Sequence, residues 1–154
     1  SSPTTPVGIR TKTSPYGVYD HPVDPMPIFL AYDISFVARV SVFDVAGATE
    51  IMKEAIMHKG MSMVYILSPC RKFPVLEYKT LKEQTEPLPK DFPRDNKLKA
   101  IEMAYSYDPI YTGIFYQVDK PVMEDMLQGE IAKACRAAGE KIEYSVQELL
   151  HSYA

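Results

Sequence analysis

The chain predicts an α/β domain whose mainly parallel sheet is flanked by helices. Three observations carry that prediction. Residues 35–67 read as strand, helix, strand, with little to spare between them. A further strand and a long amphipathic helix follow at 113–138. The run Met61-Ser62-Met63-Val64-Tyr65-Ile66-Leu67 is largely apolar along its length instead of alternating, the pattern of a strand buried on both faces of a parallel sheet.

Taken in order, residues 1–27 are expected to form an extended loop rich in hydroxyls and proline. Pro3, Pro6, Pro15, Pro22, Pro25 and Pro27 interrupt helix and central strand alike. Val7, Ile9, Tyr16, Val18 and Tyr19, with Gly8 and Gly17 at turn-like places, argue for a loop that lies against something. Ile28–Tyr32 closes a short helix entered from the prolines. Ser35–Val42 (SFVARVSV) is rich in β-formers, with Arg39 as its one charge.

Asp44 caps the next helix. Its apolar positions Ala48, Ile51, Met52, Ala55 and Ile56 follow helical spacing, and Gly60 is expected to stop it in the left-handed conformation. The unit at 35–67 is therefore a βαβ core with parallel strands. The second strand stops at Ser68-Pro69, and Cys70, Arg71 and Lys72 follow at once. Carboxyl ends of parallel strands are where ligands sit, so a polarisable thiol beside two cations is placed where chemistry happens. The plain alternative for a lone cysteine is a small buried hydrophobe.

Residues 71–97 read as a long loop with a short helix near Glu77–Gln84. Leu98, Ile101, Ala104 and Tyr105 mark a helix that Asp108-Pro109 ends. Gly113–Val118 is a strand. Asp119 and Pro121 lead into a helix whose face is Met123, Met126, Leu127, Ile131, Ala134, Cys135 and Ala138, which makes Cys135 a core residue. Gly139 ends that helix, and Ile142–Tyr153 forms a last one. The division is thus a loop at 1–27, an α/β half-domain at 28–138 and a helical tail at 139–154.

Hydrophobic residues make up 46% and charged residues 24%, ordinary for a globular domain. A net charge of −3 gives no argument for nucleic acid, and no apolar run is long enough for a membrane span. Two cysteines make no disulfide scaffold, and a reducing cytoplasm is the expected setting. There is no GxGxxG, no Walker A sequence and no CxxC pair. His21, His58 and His151 are too scattered for a familiar metal motif, and His58 is expected to be solvated on the outer side of its helix.

Three stretches together carry a resemblance: SSPTTPVG…TKTSPYG (Ser1–Gly17), SFVAR (Ser35–Arg39) and LSPC (Leu67–Cys70), joined downstream by GIFYQVDKP (Gly113–Pro121). In this order and spacing the chain resembles the carboxyl-terminal half of the β subunit of 2-oxoacid:ferredoxin oxidoreductases, with the 2-oxoglutarate-type branch favoured. The resemblance implies part of a thiamine-diphosphate-binding (pyrophosphate-domain) fold. It implies oxidative decarboxylation of a 2-oxo acid with CoA to acyl-CoA, CO₂ and reduced ferredoxin. The implied cofactors are thiamine diphosphate, Mg²⁺ and a [4Fe-4S] cluster. The implied partners are the amino-terminal half of the β subunit, the α subunit and ferredoxin.

The family's Gly-Asp-Gly segment, its downstream Asn and its three amino-terminal cysteines have no counterpart here. Ser1 is therefore expected to mark a cut, a split subunit or a chain break, and the chain alone is expected to be inactive. By the resemblance, Cys70 matches the fourth cluster ligand, and Arg71 and Lys72 would favour cluster reduction through their charge. Ser2 and Thr4 would offer hydroxyls to the diphosphate or the substrate carboxylate. Arg39 reads as a partner in a structural ion pair instead of a substrate clamp. The competing reading is a non-catalytic assembly or interaction module of this fold, with Cys70 used for packing.

Overall fold

A computed structural model describes residues 2–70 and 78–138. Two compact units divide the chain, 1–120 and 121–154. In the first, a four-stranded sheet has the order β2-β1-β4-β3. Its strands are β1 (Phe36–Ser41), β2 (Ser62–Leu67), β3 (Thr85–Pro87) and β4 (Ile110–Gln117). β1 runs parallel to β2, β3 runs parallel to β4, and β1 meets β4 antiparallel. The sheet is therefore mostly parallel with one antiparallel junction at its centre.

Helix α1 (Pro25–Ala31) begins inside the stretch that the prolines mark as non-helical. The reason is local. Asp24 Oδ1 accepts from the Met26 amide at 3.0 Å, and prolines in a first turn forfeit only amides that have no intrahelical partner. The loop before it is ordered by its own backbone. Gly8 N donates to Val18 O at 2.7 Å, Val18 N to Ile9 O at 3.1 Å, and Val23 N to Pro3 O at 2.8 Å.

α1 and α4 (Lys97–Ala104) cover one face of the sheet. Met26 and Leu30 of α1 meet Ala100 and Ala104 of α4, Val37 of β1, and Phe115 and Tyr116 of β4 in one buried cluster. The fully buried α4 positions are two alanines, with Ile101 and Met103 packed half-buried beside them; Leu98 and Tyr105, expected on the packing face, are exposed. A register shift between Val37 and Ala38 opposite β4 skips Phe115, a bulge that lets Phe115 and Tyr116 join the same cluster in succession.

α2 (Val45–Met57) packs on the other face, where Ala55 meets Phe36, Ala38 and Ile114 with Ile51 and Val64 beside them. Asp44 caps it as the sequence predicts, its Oδ1 accepting from Gly47 N at 2.9 Å. The buried stripe is narrower than the predicted one, because Met52 and Ile56 stay exposed. Gly60 differs too: α2 ends at Met57, and Gly60 lies beyond it at φ +132°, outside the left-handed helical region. A Cβ there would come within 2.2 Å of Ser35 Oγ, so close approach and backbone conformation both require glycine.

The short helix α3 (Tyr78–Glu83) falls within the span predicted for it. β3, which follows it, lies inside what reads as loop. In the second unit α5 spans Met123–Ala138, and Met123, Met126, Leu127 and Ile131 are exposed. Cys135, expected in the core, is half-buried. The expected stop at Gly139 and the expected helix at 142–153 lie outside the described residues, as do Arg71 and Lys72.

Candidate functional site

The carboxyl end of β2 is where the strand hands over to Ser68-Pro69-Cys70. Cys70 stands three residues past Leu67 with its side chain exposed. Among the described residues no group of three or more His, Cys, Asp or Glu side chains is arranged to hold a metal ion. The sequence holds two cysteines, Cys70 and Cys135, fewer than the four thiolates of a Cys₄ cluster.

Ser2 and Thr4 sit apart in the leader, in a local hydroxyl knot. Ser2 Oγ lies 3.1 Å from Thr4 Oγ1 and 3.1 Å from Thr5 Oγ1, and the Ser2 amide donates to Thr5 Oγ1 at 2.8 Å. Thr5 is the buried member; Ser2 and Thr4 are exposed. The bonds hold the turn in shape while leaving the Ser2 and Thr4 side chains at the surface.

Arg39 departs from its expected role. Its side chain is 3% exposed, yet no carboxylate among the described residues reaches salt-bridge distance of it. Nη2 donates to Ala104 O at 3.1 Å, Nη1 to Tyr111 O at 3.4 Å, and the guanidinium lies 5.3 Å from the Phe115 ring centroid. Nε has no hydrogen-bond partner among the described residues. Burial pushes the guanidinium pKa down, opposed by the more distant Asp24 carboxylate.

That carboxylate organises a second layer of the same face. Tyr107 Oη donates to Asp24 Oδ2 at 3.0 Å while Oδ1 caps α1. Tyr65, the cross-strand neighbour of Arg39, has its phenol pKa raised by burial first and by Asp24 second. Tyr107 is raised by burial and then by its bond to Asp24. Sequence reasoning missed this network. Its one legible signal was an arginine inside an apolar strand; Asp24 and Tyr107 are joined to it only by the fold.

His58 is not solvated either. Its Nε2 is 3.0 Å from Ser35 Oγ, and its ring tilts against Phe36 at 5.3 Å between centroids. Ser35 Oγ spends its only proton on Met61 O at 3.0 Å, so Nε2 must be the donor to Oγ. This serine and histidine form a structural latch between β1, the end of α2 and the start of β2, not a nucleophile and its base.

Fold and site together define a class: an α/β unit with a mostly parallel sheet and an exposed thiol just past the carboxyl end of one strand. Comparison with known proteins makes it specific. Residues 74–130 match the family described as the C-terminal region of the pyruvate ferredoxin oxidoreductase beta chain. The 2-oxoglutarate oxidoreductase subunit KorB of Mycobacterium tuberculosis is 40% identical over 72 residues, which is 47% of this chain and 19% of that protein. The 2-oxoacid:ferredoxin oxidoreductase subunit beta of Sulfolobus sp is 30% identical over 130 residues, 76% of this chain and 43% of the relative.

A solved 2-oxoglutarate:ferredoxin oxidoreductase from Magnetococcus marinus, with 2-oxoglutarate, coenzyme A and succinyl-CoA bound, superposes with a TM-score of 0.79. It is 24% identical, and the match covers 99% of this chain and 52% of that one, which establishes the shared fold. The chain is a relative of the β subunits of 2-oxoacid:ferredoxin oxidoreductases, and what it matches is their carboxyl-terminal part. It spans about half the length of that structure, and less of the first relatives.

Proposed function

We propose that this chain is the carboxyl-terminal half of the β subunit of a 2-oxoacid:ferredoxin oxidoreductase, acting only with the cofactor-binding half. The complete enzyme breaks the bond between the carboxylate and the 2-oxo carbon, releases CO₂, joins the acyl carbon to the sulfur of CoA and delivers two electrons to ferredoxin. 2-Oxoglutarate is the substrate we favour, because several relatives are named for it. The α subunit, ferredoxin and the amino-terminal half of the β subunit are the partners this requires, in a cytoplasmic setting.

The observation that supports the reading is the exposed Cys70 thiol just past the carboxyl end of β2. An accessible thiol there suits one ligand of a [4Fe-4S] cluster whose other three cysteines belong to the other half. Thiamine diphosphate with Mg²⁺, when bound, supplies the carbanion stabilisation that decarboxylation needs. The chain's own contribution is positional. β1 and β2 fix the start of the Cys70 segment, and the backbone bonds of the leader hold Ser2 and Thr4 at the surface, where their hydroxyls can donate to a diphosphate or a carboxylate.

Cys70→Ala in the assembled β subunit, purified without oxygen, tests this. The expected result is loss of cluster absorbance and of bound iron and sulfide while the two halves stay associated. Full iron and sulfide content in that variant would contradict the assignment.

A further inference from the structure

Asp24 joins three segments of the first unit. Its Oδ1 accepts from the Met26 amide at 3.0 Å and caps α1, and its Oδ2 accepts from Tyr107 Oη at 3.0 Å. The third tie runs through the backbone. Val23, next to it in the chain, donates its N–H to Pro3 O at 2.8 Å. Pro3 stands between Ser2 and Thr4, both exposed.

The leader turn is shaped by itself and placed by Val23. Ser2 and Thr4 bond to each other, and Ser2 bonds to Thr5. Thr5 N donates to Ser2 O at 3.0 Å. All of these bonds stay within four residues. Among the described residues, the hydrogen bond that carries the turn to another segment is the one from Val23 N to Pro3 O.

Tyr107 has a fixed base. Arg39, 3% exposed, donates Nη2 to Ala104 O and Nη1 to Tyr111 O, so one buried guanidinium grips both ends of the loop 105–110. Inside that loop Ser106 Oγ donates to Pro109 O at 2.8 Å. Tyr107 is 59% exposed. A ring so exposed adds little to the core, and its hydroxyl is what joins the loop to Asp24.

We propose that Asp24 and Tyr107 are positioning residues for the leader hydroxyls. The Tyr107–Asp24 bond sets residues 23 and 24, and Val23 sets the Ser2-Pro3-Thr4 turn. The inference rests on the functional reading above, in which Ser2 and Thr4 donate to a diphosphate or a carboxylate, and deepens it by naming what aims them. A hydrogen bond to a carboxylate is stronger than one between neutral groups, and contiguous bonds let a change at one end reach the other. Neither Asp24 nor Tyr107 takes part in the reaction itself.

Tyr107→Phe in the assembled β subunit is the test, because it deletes one hydroxyl and leaves the α1 cap in place. Amide exchange without thiamine diphosphate is expected to show Val23 exchanging about two- to tenfold faster, with Met26 and the β1 amides as slow as in the parent. Thiamine diphosphate added with Mg²⁺ is expected to bind about two- to tenfold more weakly, at unchanged iron and sulfide content. Asp24→Ala should weaken binding likewise, and adding Tyr107→Phe to it should change nothing further. Asp24→Asn should restore the parent's values, since its amide accepts from Met26 N and donates to Tyr107 Oη.

Unchanged Val23 exchange, or unchanged affinity for thiamine diphosphate, in Tyr107→Phe would overturn this inference and leave the functional reading standing. So would Asp24→Asn behaving like Asp24→Ala, which would make charge and not position responsible. Faster exchange spreading to Met26 and β1 would reduce the bond to general stability and overturn the inference as well. A parent subunit that binds no thiamine diphosphate would overturn both readings.

Discussion

β1 and β2 share one parallel ladder and similar apolar content, yet their surroundings are opposite. Every residue of β1 is buried, by α1 and α4 on one face, α2 on the other and a strand on each side. β2 is half-buried, and among the described residues β1 is its one strand partner. The difference teaches that an apolar pattern reports the environment a strand is built for, and a chain spanning half of its relatives need not supply that environment itself. α5 repeats the lesson, with a clear apolar face left exposed.

The sharpest contrast is expected from truncations in the two strands. Phe36, fully buried between β1 and α2, should cost about 3–5 kcal/mol as Phe36→Ala, measured by denaturant unfolding of the isolated chain. Ile66→Ala on the half-buried strand should cost less than about 1 kcal/mol in the same assay. Equal costs in the isolated chain would erase the distinction between buried and half-buried strands.

Gly60→Ala probes the latch where the two strands begin. The strained φ alone should cost about 1–3 kcal/mol, and the new Cβ would also displace Ser35 Oγ from Met61 O and His58. A near-neutral result would mean the latch gives way easily. Asp44→Ala removes the α2 cap and should cost about 1 kcal/mol, read as a lowered unfolding midpoint with an unchanged slope.

The smallest effect concerns the aromatic layer over β1. Tyr65 and Tyr107 have folded pKa values raised above their unfolded ones, so the folded chain holds those protons longer. Their contribution is complete below the unfolded value, about pH 10, and is lost as pH rises through the folded values. Stability should therefore decline on the alkaline side, and Tyr107→Phe should make that decline shallower. An identical alkaline limb in the variant would remove Tyr107 from the account.

Much of the first unit was legible because local signals agreed with the fold. The 35–67 unit, the Asp44 cap and the stop at Ser68-Pro69 all rest on patterns that neighbouring residues reinforce. What was illegible depended on distance. β3 is three residues held by β4 and carries almost no pattern of its own. Arg39 looked like half of an ion pair, but its partners are the carbonyls of Ala104 and Tyr111, which no periodicity reveals. His58 looked solvated because Ser35 approaches it from another element. For the site, sequence order singled out Cys70, and the fold leaves that thiol exposed just past the carboxyl end of β2.

The most direct test of the central claim is a native mass spectrum of the protein isolated without oxygen from its own source. The account predicts a species that contains this chain, a companion bearing the remaining cysteines, and the added mass of a [4Fe-4S] cluster with thiamine diphosphate. A chain that flies alone and metal-free under those conditions would contradict it.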